Sequence, residues 1–441
     1  MTLLTPTRRK LLGNVTWLYA LQGLNYLLPL AVLPYLIRVL GVERYGLVAF
    51  AQSFAQYFII LTDYGFNLSA TNQIARMQND REKVSRLFWS VILIKLTVML
   101  LGILVMGSIV LAVPRFRPDA VLYLVAYGAV VGSVFFPIWL FQGMERMRYI
   151  SLISGGAKLV SALLLFVFVH KQSDYISALA IQSAGLLFAG IAGFIIAIRS
   201  FKLAWRMPSP AEIAETLRDG WHLFVSTAAT MAYTNSNVFL VGIFAGNAQA
   251  GYFSGAEKII RGMQGLLGPV TQTIYPHISA LARESREYAL SFVRTSLIWI
   301  GGVSFVASTL VLIFAAPIAH LIFGTLAAGC IPVLRWIAML PFVIAVSNVL
   351  GIQTMVPFGL QRQLSRIYIA AGAGSLALSI PLIREYGASG AGISVLVVET
   401  LIVCFMWRAL KSKGVDTFRS AVEAMPVVAR REKRFAGQET I

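Results

Sequence analysis

Long apolar runs separated by short polar segments occupy almost the whole chain. A helix of about 20 mostly apolar residues spans the hydrocarbon core of a bilayer, and twelve runs reach this length. They centre on residues 14–38, 46–67, 87–112, 119–141, 149–169, 175–198, 221–245, 252–276, 292–316, 332–357, 364–383 and 387–409. The pattern predicts an all-α polytopic membrane protein with twelve transmembrane helices.

The composition supports this class. Of the 441 residues, 58% are hydrophobic and only 13% are charged, whereas about a quarter of the residues are charged in soluble domains. The formal net charge of +18 comes from basic residues scattered between the apolar runs, and a nucleic-acid partner would need them clustered on one soluble face. We therefore expect membrane lipids as partners and no nucleic acid.

The basic residues alternate along the connections between the runs. The N-terminus, every second connection after it and the C-terminal tail hold most of the 37 lysines and arginines. This distribution predicts that both termini face the cytoplasm. The basic cluster at residues 8–10 precedes an apolar run from 11 to 37, which is too long for a signal peptide, so we expect a retained first helix.

The longest connection divides the predicted helices into two equal sets. It covers residues 200–220 and contains Pro208 and Pro210, so we expect an N-lobe at 1–199 with helices 1–6 and a C-lobe at 221–410 with helices 7–12. A basic cytoplasmic tail follows at 411–441. The turns LGVERYG, which ends at Gly46, and AGNAQAG, which ends at Gly251, each contain two glycines five residues apart. Together these features indicate parallel repeats around a central cavity.

Polar residues recur at steps of three or four along five of the predicted spans, and side chains at this spacing share one face of a helix. The stripes are Asn14, Gln22 and Asn25; Gln52, Gln56 and Asp63; Ser154, Lys158 and Ser161; His222, Ser226, Thr230, Tyr233 or Thr234, and Asn237; and Glu257, Arg261, Gln264, Gly268, Gln272 and Tyr275. We interpret the stripes on the first, second, seventh and eighth helices as the walls of a solvated, substrate-binding cavity. The alternative is hydrogen bonding between helices without a cavity.

Ionisable residues inside spans are costly and usually face a bundle interior or an aqueous cavity. The basic ones are Lys95, Lys158, Lys258, Arg261 and Arg335, and the acidic ones are Asp63, Glu257 and Glu399. The surplus of basic residues predicts an anionic ligand, and phosphate or diphosphate groups suit lysine and arginine best. Glu257 and Arg261 are four residues apart and are expected to pair. Glu399 has no cation at helical spacing, and with Asp63 and Glu257 it is a candidate for ion coupling.

Motifs for covalent chemistry are absent from the sequence. It contains no H-E-x-x-H, no G-x-S-x-G and no P-loop, and no connection is long enough for an active-site domain. Cys330 and Cys404 are far apart without metal-ligand spacing. We therefore expect no catalytic residue, no metal and no cofactor.

Four phrases resemble one family of transporters. They are LTDYGFNLSATNQIA at 61–75, FPIWLFQGMERMRYIS at 136–151, GYFSGAEKIIRGMQGLLGPVTQTIYPHIS at 251–279 and GIQTMVPFG at 351–359. The chain resembles the O-antigen or polysaccharide flippase family of the multidrug/oligosaccharidyl-lipid/polysaccharide exporter superfamily. Members often carry a basic residue after the ATN-type phrase, where this chain has Gln73, so no phosphate contact is assigned there.

The resemblance implies a two-lobed protein of the bacterial inner membrane that moves undecaprenyl-diphosphate-linked oligosaccharides by alternating access, coupled to an ion gradient. A polysaccharide polymerase and a chain-length regulator are then candidate partners. A multidrug cation exporter of the same superfamily is the alternative, and would need an acidic and aromatic site. A membrane glycosyltransferase or polymerase is a third reading, which the short connections disfavour.

Overall fold

The computed structural model describes residues 6 to 415, and their side chains except at positions 6–22, 24–25, 222, 226, 229–233, 266–270, 272–273 and 276. This range is folded into helices: α1 Pro6–Asp63, α2 Phe66–Arg76, α3 Arg81–Ala112, α4 Ala120–Phe135, α5 Ile138–Gly143, α6 Met147–Phe168, α7 Tyr175–Phe201, α8 Pro210–Ala245, α9 Asn247–Glu284, α10 Arg286–Ile313, α11 Ala315–Phe323, α12 Cys330–Ile337, α13 Leu340–Leu350 and α14 Gln361–Ser412. Short 3₁₀ turns and a π-helical turn at Gly351–Met355 join some of them. We call residues 6–201 the first half and residues 210–415 the second half.

Nine stretches of the described chain are long and apolar enough to cross a membrane, so the protein is an all-helical polytopic membrane protein. The count of twelve is not confirmed. The first two predicted spans fall partly in one continuous stretch, Tyr26–Met77. The seventh and eighth predicted spans lie in α8 and α9, where some of the side chains are not described. Within α8, the described stretch Thr234–Ala245 is apolar but shorter than the nine stretches above.

Glycines with positive φ mark the sharp turns between long helical segments. Gly41 breaks α1 with a φ of 75°, Gly246 joins α8 to α9 with a φ of 94°, and Gly387 breaks α14 with a φ of 59°. Glycine adopts this left-handed region without the clash that a Cβ atom causes. The two predicted glycine turns are therefore confirmed as turns, and the side of the membrane on which they lie remains a prediction.

The two halves share one hydrophobic core. Leu33 and Ile37 of α1 pack in the same cluster as Ala256 and Ile260 of α9 and Phe323 of α11, and α1 runs along α9. Elsewhere α4 and α6 pack on α7 in the first half, and α8 packs on α14 in the second. The long contact between α1 and α9 therefore positions whatever lies between the halves.

The predicted connection at 200–220 is held against the first half. The backbone N–H of Ala204 donates to Ser85 Oγ at 3.2 Å, and Trp89 Nε1 donates to the Ala204 carbonyl at 2.8 Å. A capping box of Ser209 and Glu212 then begins α8, where the backbone N–H of Ser209 holds the pKa of the Glu212 carboxyl below its usual value.

Candidate functional site

A cavity of about 410 Å³ lies in the second half and is bordered by α1. This volume is within the range of small-molecule binding pockets, about 300 to 1,000 Å³. Most of the lining is apolar, with a few polar and charged groups. The lining residues are Tyr26 of α1; Thr234 and Asn237 of α8; Phe253, Glu257, Ile260, Arg261, Gln264 and Gly265 of α9; Ile337 of α12; Leu340 and Ile344 of α13; and Ser375, Val395, Val398 and Glu399 of α14.

Arg261 places a positive charge in the lining of this cavity. Its Nη2 atom donates to Glu257 Oε1 at 2.9 Å, to the Thr234 carbonyl at 3.2 Å and to Asn235 Oδ1 at 3.3 Å. The first contact confirms the pairing expected from the spacing of four residues. The Arg261 side chain is 46% exposed although it lies far from either end of α9, because it borders the cavity.

The hydrogen bonds that hold Arg261 leave some of its N–H donors unused. A guanidinium carries five N–H groups, and all the hydrogen bonds that Arg261 makes with the described residues involve Nη2. Its Nε and Nη1 groups therefore have no acceptor within that set of residues. A guanidinium held in place with donors to spare can bind an anion without first losing its orientation.

Glu399 contributes a second carboxylate to the same wall, from α14. Among the residues whose side chains the structure describes, none forms an ion pair or hydrogen bond with the Glu399 carboxylate. The described wall thus holds the two carboxylates of Glu257 and Glu399 and the guanidinium of Arg261. It does not show the basic surplus that the spans as a whole carry.

Lys258 explains part of this difference. Neighbouring residues on a helix point about 100° apart, so Lys258 is turned away from the face of Glu257 and Arg261. Its Nζ atom lies 5.1 Å from the centre of the Tyr45 ring on α1, a distance that permits a cation–π contact. Lys258 is therefore at the junction of the halves, outside the lining of the cavity.

Lys95 and Asp63 form a separate ion pair in the first half. Lys95 is 1% exposed, and its Nζ atom lies 2.9 Å from Asp63 Oδ1 and donates to the Ser133 carbonyl at 3.1 Å. These contacts link α1, α3 and α4. Neither residue lines the cavity.

The other predicted site residues divide into three groups. Asn237 and Gln264 line the cavity as expected from their stripes. Gln52 instead donates to Gln182 Oε1 on α7 at 3.1 Å, which is the packing role considered as the alternative. Outside the lining are Gln56, the partly buried Lys158 and the exposed Arg335.

Several predictions fall on side chains outside the described set. They concern Asn14, Gln22, Asn25, His222, Ser226, Thr230, Tyr233, Gly268 and Gln272. In the opposite sense, sequence reasoning missed Tyr26 and Asn235, which contribute to the site. Asn235 lies off the helical stripe of α8, and the only signal for it was an amide inside an apolar span.

A second cavity of about 80 Å³ continues along α9 and shares Gln264 and Ile344 with the first. Thr271 and Asn348 add polar groups to its lining. The two cavities together place polar groups along α9 from Glu257 to Thr271.

Comparison with known proteins gives the family. Residues 11–282 match the model of the family described as "Polysaccharide biosynthesis protein". A protein of Escherichia coli (strain K12) named "Putative O-antigen transporter" is 36% identical over 393 residues, which cover 89% of this chain and 95% of that protein. A protein of Shigella dysenteriae with the same name is 32% identical over 404 residues, covering 90% and 99%.

Solved structures show the same fold. The lipid II flippase MurJ in an inward closed conformation superposes with a TM-score of 0.72 at 13% identity, over 91% of this chain and 87% of that one. An inward-facing multidrug resistance MATE family transporter of the MOP superfamily gives 0.66 at 14% identity, over 90% and 96%. The relatives and structural neighbours are transporters and not enzymes.

Proposed function

We propose, since this chain belongs to the polysaccharide biosynthesis protein family, that it is a flippase for a lipid-linked oligosaccharide such as an O-antigen repeat unit. The substrate class comes from the names of its relatives. The undecaprenyl diphosphate carrier comes from the family resemblance. The bacterial inner membrane is then its location, with a polysaccharide polymerase and a chain-length regulator as partners.

The single observation that supports a diphosphate ligand is the state of Arg261. Its side chain borders a ligand-sized cavity, is oriented by Glu257, Thr234 and Asn235, and keeps N–H donors without an acceptor among the described residues. Hydrogen bonds from a guanidinium to phosphate oxygens are charge-assisted and stronger than neutral ones. Lys258, Lys158, Lys95 and Arg335 remain candidates for phosphate contacts in other conformations of the transport cycle.

The mechanism needs no covalent step. The headgroup is charged and hydrated, and its passage through hydrocarbon is costly unless polar groups replace its water. Cavity residues such as Asn237 and Gln264 supply these groups while the prenyl chain stays in lipid. Alternating access then exposes the cavity to one side of the membrane at a time.

Ion coupling follows from competition for Arg261. A phosphate that binds the guanidinium weakens its ion pair with Glu257, so a proton or cation becomes more favourable on that carboxylate. Because such coupling is reciprocal, ion binding at Glu257 or Glu399 changes substrate affinity in turn. Asp63 is the third candidate, through its pair with Lys95.

The topology that we propose has twelve transmembrane helices in two lobes with both termini in the cytoplasm. The breaks at Gly41 and Gly387 divide α1 and α14 into two spans each. If α4 and α5 form one span and α11 to α13 form another, the remaining long helices complete the count. Residues 1–199 and 221–410 are then the lobes, joined by 200–220, with the tail at 411–441.

A multidrug cation exporter is the second candidate because Glu257 and Glu399 share the wall with the aromatic Tyr26 and Phe253. Carboxylates and aromatic rings attract organic cations. This alternative requires that Arg261 serve only to balance the carboxylates.

Complementation distinguishes the two functions. In a strain that lacks its O-antigen flippase, the wild-type protein and an Arg148→Ala control, changed at an exposed residue of α6, should restore surface polysaccharide, and Arg261→Ala should not. All three should leave drug sensitivity unchanged. Normal surface polysaccharide in cells that carry Arg261→Ala would contradict the flippase assignment. Drug resistance in cells that carry the wild-type protein would contradict it as well.

A further inference from the structure

The two glycine turns of the sequence meet each other in the structure. In each turn a glycine with positive φ, Gly41 or Gly246, is followed five residues later by a second glycine, Gly46 or Gly251. The second glycines lie in the opening turns of the helical segments that follow. The first turn belongs to the first half of the chain and the other joins α8 to α9 in the second half.

The contact between these turns is reciprocal. A Cβ atom added to Gly46 would lie 1.8 Å from the carbonyl oxygen of Asn247, and one added to Gly251 would lie 2.3 Å from the carbonyl oxygen of Val42. Val42 follows Gly41 in the first turn, and Asn247 follows Gly246 in the second. In each turn, the carbonyl of this residue therefore faces the second glycine of the other turn. A two-fold relation between like surfaces produces such exchanged contacts.

Aromatic residues extend the contact beside the glycines. Phe239 of α8 stacks on Phe50 of α1, with ring centres 5.1 Å apart and an angle of 3° between the planes, and also lies 5.6 Å from Phe54. Gly242 makes room for Phe50, because a Cβ atom there would lie 2.2 Å from its ring. The halves are therefore sealed here by backbone contact and stacked rings, with no space for a hydrated headgroup.

We propose that this reciprocal contact of Gly46 and Gly251 is the closed gate at the non-cytoplasmic end of the transport path. The proposal rests on the flippase function above, which requires the halves to separate at one end. Within the described residues, no hydrogen bond or ion pair joins the segment 41–46 to the segment 246–251. Beside these segments, the Arg115 guanidinium of the first half donates to the carbonyls of Gly242 and Ile243 in α8, and Lys258 contacts the Tyr45 ring. Opening the gate therefore separates the glycine turns at the expense of van der Waals contacts, and breaks the Arg115 hydrogen bonds at its edge.

The gate is tested by adding a single methyl group. Gly46→Ala places a Cβ atom where the Asn247 carbonyl lies, so the closed gate is strained and the open state gains population. The reporter is Asn237→Cys, in the lining of the cavity, with Cys330 and Cys404 replaced by serine. A membrane-impermeant thiol reagent added to intact cells from the non-cytoplasmic side should label this cysteine about tenfold faster in the Gly46→Ala background.

A matched control is Gly302→Ala in α10, where an added Cβ atom has nothing within 4 Å; labelling should then match the parent. Unchanged labelling with Gly46→Ala, in protein that reaches the membrane, would overturn the gate. If Gly46→Ala does not reach the membrane, Phe239→Ala decides, because it removes the stacked rings without adding an atom, and it must also speed labelling. The readout needs no substrate, so it distinguishes a wrong gate from a wrong transport function.

Discussion

Two ion pairs of equal length have different surroundings in this molecule. Lys95 and Asp63 are 2.9 Å apart, as are Arg261 and Glu257, but the Lys95 side chain is 1% exposed and the Arg261 side chain 46%. The first pair connects three helices and also satisfies the Ser133 carbonyl. The second borders a cavity with donors in reserve. Distance alone therefore does not distinguish an ion pair that supports the fold from one that is available to a ligand.

The largest effect on stability is expected at the buried pair. Lys95→Met leaves Asp63 without its cation, and because the Asp63 side chain is 31% exposed the loss should lie below the ~3 kcal/mol that breaking a fully buried pair costs and above the ~1 kcal/mol of an exposed pair. Thermal unfolding of the purified protein should show a lower Tm. The double variant Lys95→Met with Asp63→Asn should recover much of the loss, and a single variant as stable as the wild type would contradict a structural role for this pair.

Arg261→Ala should show the opposite pattern. An ion pair that solvent reaches contributes about 0 to 1 kcal/mol, so the Tm should change little. Transport should nevertheless be lost if Arg261 binds the diphosphate as proposed, because the variant has no cation at this position. A large fall in Tm equal to that of Lys95→Met would show that both pairs are structural.

Glu257→Gln should have a smaller effect on transport than Arg261→Ala. Glutamine keeps a hydrogen-bond acceptor for Arg261 but removes the charge that orients it, so headgroup transport in proteoliposomes should fall without being abolished. Complete loss would show that the carboxylate itself is required. Gln264→Glu adds a carboxylate to the same face of α9. Because this negative charge repels an anionic headgroup, it should lower transport more than Glu257→Gln does.

The smallest effect on binding is expected at Glu399. Glu399→Gln keeps the size of the side chain and removes the charge that has no cationic partner among the described residues. Substrate binding should stay near that of the wild type, and the response of transport to an imposed proton or sodium gradient should disappear. A response equal to that of the wild type would exclude Glu399 from coupling.

Helical spacing predicted those parts of the site that belong to a single helix. The pairing of Glu257 with Arg261 and the inclusion of Gln264 follow from steps of three and four along α9. Spacing does not show which face of another helix a residue meets. It therefore missed the pairing of Lys95 with Asp63 and the position of Lys258 over Tyr45.

The same limit explains the charge of the cavity. A sum over all spans counts Lys95, Lys258 and Arg335 as basic, but tertiary packing places none of them in the described lining. Glu399 joins the wall from α14, a long way along the chain from Glu257. The apolar runs predicted the fold class because membrane helices need only length and apolar composition.

The proposed function depends most on whether Arg261 binds the diphosphate of the lipid carrier. The most direct measurement is the affinity of undecaprenyl diphosphate, without sugars, for the purified protein and for Arg261→Ala in the same detergent. Hydrogen bonds to charged groups contribute about 1.5 to 3 kcal/mol, and a factor of ten in Kd corresponds to about 1.4 kcal/mol. Arg261→Ala should raise the Kd about tenfold or more, and an unchanged Kd in the folded variant would contradict diphosphate binding by Arg261.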